Sequence, residues 1–204
     1  MVRGERPAKW RWPFIRWTPP RIIVVAFAGV ILLGAILLSL PMSSSNGKPI
    51  GFLSALFTAT SAVCVTGLVV VDTGTRFSTF GQVVIMGLIQ LGGLGIASAA
   101  SIALLLGRRI TLRERILLQQ SLSQETLQGV VRLSRYILLT TLIVEALGAI
   151  LLAVRFIPLW GWTKGLYFAL FHAVSAFNNA GFDLMGEYAS LMRFQTDPFV
   201  LLTV

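Results

Sequence analysis

The sequence predicts an all-α integral membrane protein built on a repeated unit, and three observations carry that reading. Hydrophobic residues fill 55% of the 204 positions and charged residues only 12%; soluble domains carry about twice that charged fraction. Three apolar runs have the length needed to cross a hydrocarbon core of about 30 Å. A segment that begins at Gly51 also recurs, without gaps, from Gly165.

The charge pattern orients the chain. The net charge is +9, and 12 of the 17 basic residues fall in two blocks beside apolar segments. The first block is Arg3, Arg6, Lys9, Arg11, Arg16 and Arg21; the second is Arg108, Arg109, Arg113, Arg115, Arg132 and Arg135. Lys/Arg excess marks cytoplasmic flanks, which places both blocks inside the cell, against membrane lipids rather than nucleic acid. The single cysteine, Cys64, excludes an intrachain disulfide and a cysteine metal cluster.

Ile22 to Leu40 is uncharged over 19 residues. A signal peptide carries a shorter apolar region, so a retained spanning helix is expected, with Trp10, Trp12 and Trp17 near the inner headgroups. Phe80 to Leu106 is the second span. Its cluster "LGGLGI" from Leu91 has two readings, close helix contact or a helix break. Tyr136 to Phe156 is the third span. Between the second and third, mixed apolar and charged residues suggest a cytoplasmic hairpin or surface helix. The expected organisation is a basic cytoplasmic N-terminus over 1–20 and a first unit over 21–106. A cytoplasmic connecting segment over 107–135 and a second unit over 136–204 follow.

The repeat pairs "GFLSALFTATSAVCVTGL" with "GLYFALFHAVSAFNNAGF", with identities that include Ala55/Ala169, Phe57/Phe171, Ser61/Ser175 and Gly67/Gly181. Gly51 to Ala62 is too short to span and lies between an outward and an inward crossing. It must enter from outside and turn back, as a re-entrant helix followed by a loop. An ion leaving water needs oxygens in place of its hydration shell, and rings of backbone carbonyls supply them. No acid or base lies between Gly51 and Val71. Small and β-branched residues bring the backbone near the axis, and glycine opens conformations that other residues resist.

At these residues the chain resembles the Trk/Ktr/HKT superfamily of potassium and sodium transporters, and in particular the membrane subunit of bacterial Ktr potassium uptake systems. "TSAVCVTGLVVVDTGTRFSTFGQ" and "SAFNNAGFDL" look like the first two filter loops of four M1–P–M2 units (spanning helix, pore helix with filter loop, spanning helix). The resemblance implies a potassium-channel-like pore and plasma-membrane potassium uptake, with a cytoplasmic N-terminus and potassium as substrate. It implies filter glycines at Gly67 and Gly181, the first associated with potassium over sodium. It further implies ion contact by the carbonyls of Val65, Thr66, Asn179 and Ala180, and after them Cys64 and Asn178. No cofactor bound by this chain is implied. The partners implied are a second copy of the complete subunit and a cytoplasmic nucleotide-binding ring, facing Arg108, Arg109, Arg113 and Arg115. Because "DPFVLLTV" reaches only the opening of the second M2 helix, the chain is expected to be part of a longer subunit.

Several residues keep two readings. Asn178 and Asn179 suit a turn or a filter, and their register with Cys64 and Val65 favours the filter. Cys64 is expected to be a small buried residue. His172, aligned with Thr58, is expected in packing or capping. Glu145, a carboxylate in mid-span, is either functional or a hydrogen-bonded structural group. Asp72 and Asp183 either attract cations at an outer mouth or are solvated loop acids. The competing functions are a non-conducting membrane interaction protein and a sodium-preferring transporter. No paired-carboxylate or Ser/His constellation supports an enzyme.

Overall fold

A computed structural model describes residues 19–95 and 127–204. The first basic block up to Arg16 lies outside the described residues, as do residues 96–126 with Arg108, Arg109, Arg113 and Arg115. Among the described residues the chain is helical, and its only strand-like pairing is an isolated bridge between Ser44 and Phe77.

Helix α1 (Pro19–Ser39) opens on two prolines, which the first turn of a helix tolerates because its N–H groups lack helical partners anyway. It stops before Pro41, which begins a 3-10 turn (Pro41–Ser43). Ser43 Oγ then donates to the Leu37 carbonyl at 2.6 Å, satisfying one of the carbonyls left open at the helix end. Helix α2 (Phe52–Val63) is the short apolar helix. Helix α3 (Thr73–Arg76) is capped by Asp72, and α4 (Thr79–Gly93) by the Ser78 hydroxyl, which accepts from the Gly81 N–H.

Helix α5 (Leu127–Phe177) is assigned across a bend at Gly161, whose φ of 79° and ψ of 172° are not helical. Pro158 lies just before it, and α6 (Pro198–Thr203) closes the chain under an Asp197 cap. In the first half, α1 and α2 are joined by the polar, turn-rich stretch "SSSNGKP". The second half has no such stretch, so the expected third span and the short segment after it meet at a single bend.

Helix α5 also begins at Leu127, inside the expected connecting segment. The expected second span is interrupted: α4 ends at Gly93, and Gly95 takes a φ of 72°. Among the described residues, one helix, Arg135–Phe177, is long and apolar enough to cross a membrane by length and composition. The apolar stretches Ile23–Ser39, Phe52–Val63 and Thr79–Gly93 are shorter.

Two apolar clusters hold these helices. In the first, Leu38, Ala59, Ile85 and Ile89 of α1, α2 and α4 pack with Phe171, Phe182 and Leu184 from the second half. In the second, Leu152 and Phe156 from one limb of α5 meet Ala169 and Ala173 from the other, with Phe194 and Val200. The opposite faces of α1 and α5 leave large apolar side chains exposed, among them Val24, Leu33, Leu142 and Ile150. A soluble surface rarely leaves so much apolar area uncovered.

Candidate functional site: the loops after two short helices

Helix α2 and the last limb of α5 end alike. The Thr66 N–H donates to the Ser61 carbonyl at 3.0 Å, and the Val65 N–H to the Ala62 carbonyl at 3.3 Å. In the second half the Ala180 N–H donates to Ser175 at 2.7 Å, and the Asn179 N–H to Ala176 at 2.9 Å. Both ends are Schellman motifs, which require a left-handed residue directly after the helix cap. That residue is Val65 (φ 55°) in one loop and Asn179 (φ 53°) in the other. Asparagine tolerates this conformation, but for a β-branched valine it is an outlier that persists only when its surroundings enforce it.

Two residues later the pattern repeats, with Gly67 at φ 70° and Gly181 at φ 71°. Left-handed residues thus alternate with others along each loop. Such alternation lets consecutive carbonyls project from the same edge.

The loops touch each other. A Cβ placed on Gly67 would lie 2.7 Å from the Ala180 carbonyl oxygen and 3.2 Å from the Gly181 Cα, so a side chain at 67 meets the backbone of the neighbouring loop. Thr66 Oγ1 donates to Ser61 Oγ at 3.0 Å, and Ser175 Oγ to the Phe182 carbonyl at 2.6 Å. Cys64, Thr66, Asn179 and Gly181 are exposed, Val65, Gly67 and Asn178 half-buried, and Ala180 buried. Cys64 is therefore not the buried small residue expected. It caps α2 at the loop's mouth, where the chain leaves the helix rather than packing under it.

Helix α4 backs both loops. At Gly92 a Cβ would collide with the Val63 carbonyl, and at Gly93 with the Asn178 side-chain amide. The glycine cluster therefore serves close contact and, at Leu94–Gly95, a break. Asn178 Nδ2 donates to Gln90 Oε1 at 3.0 Å, to Glu145 Oε1 at 3.3 Å and to the Val174 carbonyl at 2.9 Å. Nearer the start of α4, Tyr167 Oη donates to Gln82 Oε1 at 3.0 Å, while Gln82 Nε2 donates to the Phe77 carbonyl at 3.1 Å. These glutamines are not among the filter residues that the sequence implies. Their signal was an uncharged amide inside an apolar run, which needs a partner when buried.

His172, 2% exposed, has its Nδ1 2.7 Å from the Phe168 carbonyl, and its Nε2 accepts from the Leu184 N–H at 3.3 Å. That pairing makes Nδ1 the donor and the ring neutral. The imidazole ties the short limb of α5 to the segment after the second loop.

Beyond the two glycines a cavity of about 200 Å³ is lined by Gly67, Asp72, Thr73, Gly181 and Asp183. Asp72 and Asp183 do not correspond at the repeat spacing, yet both face this space. Asp72 Oδ1 accepts from the Thr75 N–H at 2.8 Å and Oδ2 from the Tyr188 N–H at 2.8 Å. Burial pushes its pKa up, but the bonds from Tyr188 and Thr75 outweigh this and leave it below the ordinary carboxylate value. Burial raises the pKa of Asp183, and the charge of Asp72 adds to that rise against one N–H bond from Met185.

The model of cation transport proteins described as TrkH matches residues 11–204. The chain is 47% identical over 204 residues to the Ktr system potassium uptake protein B of Bacillus subtilis, covering 100% of this chain and 44% of the relative. It is 45% identical over 186 residues to the Ktr system potassium uptake protein B of Vibrio alginolyticus, covering 91% and 40%. It is 43% identical over 190 residues to the potassium/sodium uptake protein NtpJ of Enterococcus hirae, covering 93% and 42%. The chain thus spans less than half the length of these curated relatives.

Proposed function

Because the chain belongs to the TrkH family of cation transport proteins, we propose that it forms part of the ion-translocating subunit of a potassium uptake system. Each half is built on the M1–P–M2 pattern: α1, α2 and α4 in the first, and in the second the two limbs of α5 followed by α6. The N-terminus is cytoplasmic and the chain crosses the plasma membrane several times. The loops Cys64–Gly67 and Asn178–Gly181 are two strands of a carbonyl-lined filter, with Val65, Thr66, Asn179 and Ala180 presenting ion-contacting oxygens. Further filter strands come from further units. A second copy of the subunit and a nucleotide-binding ring complete the system, with Arg108, Arg109, Arg113 and Arg115 toward the ring. The words "Ktr system" in the names of two relatives support a subunit that works with others.

The observation that carries this reading is the matched pair of left-handed positions in two loops that touch. A helix cap alone requires the left-handed residue at Val65 and Asn179, but not the second one two residues later at Gly67 and Gly181, nor the contact between the two loops. In the complete transporter, Gly67→Ser should lower potassium uptake relative to sodium, and an unchanged ratio removes the filter assignment. Transport of sodium beside potassium is a second reading, supported by the similarity to a potassium/sodium uptake protein. The wild-type ratio in the same assay decides between them.

A further inference from the structure

Glu145 stands in the apolar stretch "TTLIVEALGAILLAV" and is 5% exposed. A carboxylate at such a position is costly unless it is paired or hydrogen-bonded. Its hydrogen-bond partner is Asn178, whose Nδ2 lies 3.3 Å from Oε1 and which also donates to Gln90 Oε1 at 3.0 Å. They come from different elements: Glu145 from the first limb of α5, Gln90 from α4, and Asn178 from the residue where the second short helix gives way to its loop.

Asn178 has little freedom. Three acceptors, on Gln90, Glu145 and Val174, share its two amide hydrogens. On its other side α4 presents Gly93, where even a Cβ would clash with the Asn178 Oδ1. The corresponding residue in the first loop is Cys64, which is exposed. The two loops therefore share a backbone but not a support. The second is held by a three-residue polar network that a carboxylate completes.

We propose that Glu145 is a positioning residue that fixes Asn178, and through it the Asn179–Gly181 backbone, so that the ion preference of the second loop depends on it. The inference rests on the reading of these loops as a filter. Glu145 touches no ion and acts through Asn178. Replacing it with leucine removes the 3.3 Å acceptor and sets an apolar side chain against the amide, which then turns toward Gln90 and Val174 and shifts the loop start. Replacing it with glutamine keeps an oxygen acceptor in the same place.

The test is potassium and sodium uptake measured side by side in the complete transporter. The variants are Glu145→Leu, Glu145→Gln, Asn178→Ala and the double variant Glu145→Leu/Asn178→Ala, with Gly67→Ser as control. Glu145→Leu and Asn178→Ala should each lower the potassium-to-sodium ratio about threefold or more. The double variant should lower it no further, as residues that act in one network do. Glu145→Gln should keep the ratio near wild type. Equal loss of both ions in Glu145→Leu, or full additivity in the double variant, overturns the inference. If Glu145→Leu does not reach the membrane, Asn178→Ala with an unchanged ratio overturns it instead. A shift in Gly67→Ser alone overturns the anchor and leaves the filter standing; no shift in Gly67→Ser overturns the filter reading.

Discussion

Val65 and Asn179 stand at the ends of two different short helices and hold the same left-handed backbone, at φ 55° and 53°. Each is followed two residues later by a glycine of the same hand, and the first of these glycines lies against the carbonyl of Ala180. Only one of the pair is comfortable. For an L-residue the left-handed region costs about 1–2 kcal/mol, and β-branching at Val65 worsens it.

Val65→Gly is therefore expected to relieve strain. Thermal unfolding of the detergent-solubilised transporter should show little net change, because relief of about 1–2 kcal/mol of strain is offset by the entropy of glycine and the lost packing of Val65 against the core. The same variant should discriminate less between potassium and sodium, because a glycine no longer restricts the loop to one conformation. Lower stability with intact discrimination would mean that Val65 serves packing alone.

His172 carries a second expectation. His172→Phe preserves the aromatic packing against Phe156 and Phe171 but leaves the buried Leu184 N–H without its acceptor. The cost should be about 1–3 kcal/mol, read as a fall in thermal stability. An unchanged melting temperature would show that the long Leu184–His172 contact of 3.3 Å contributes nothing.

The two carboxylates that line the cavity, Asp72 and Asp183, should titrate in opposite directions from the ordinary value. Asp72 is lowered, so its stabilising bonds are complete above the unfolded pKa and are lost only as pH falls through its lower folded pKa. Asp183 is raised, so its protonated form is favoured in the fold, and its contribution to stability fades as pH rises through that raised pKa. On acidification Asp183 therefore loses its charge first. Uptake at sub-saturating potassium should fall with external pH while Asp72 is still ionised, and Asp183→Asn should abolish that fall. A persistent acid limb in the variant would assign the effect to another group.

Tyr167 offers a local check on how the halves are joined. Tyr167→Phe removes the bond to Gln82 Oε1 and should cost about 0.5–1.5 kcal/mol in thermal stability without changing ion preference. A changed preference would extend the filter's support to the N-terminal end of α4.

Much of this was legible in the sequence for a physical reason. The helical elements follow from apolar runs bounded by prolines, serines and glycines, and Gly67 and Gly181 follow from a repeat without gaps. The bend at Gly161 was less legible, because the sequence there offers one proline and one glycine rather than a polar linker. The close packing of Gly92 and Gly93 against Val63 and Asn178 depends on which helix lies behind the loops, and local patterns do not encode that. The same holds for Asp72 and Asp183, which reach one cavity from positions that do not correspond in the repeat. The exposure of Cys64 reversed a residue-type preference, since a cap at a loop mouth follows the backbone rather than hydrophobicity.

If the two left-handed glycines belong to one ion filter, a side chain at position 67 must change which ion passes. The most direct measurement is the potassium-to-sodium uptake ratio of the complete transporter with Gly67→Ser, in cells that lack other potassium uptake. A Cβ at 67 meets the Ala180 carbonyl at 2.7 Å and must also adopt φ 70°, a strain of about 1–3 kcal/mol. The ratio should fall markedly while the protein still reaches the membrane. A variant present at wild-type level with an unchanged ratio would contradict the filter assignment.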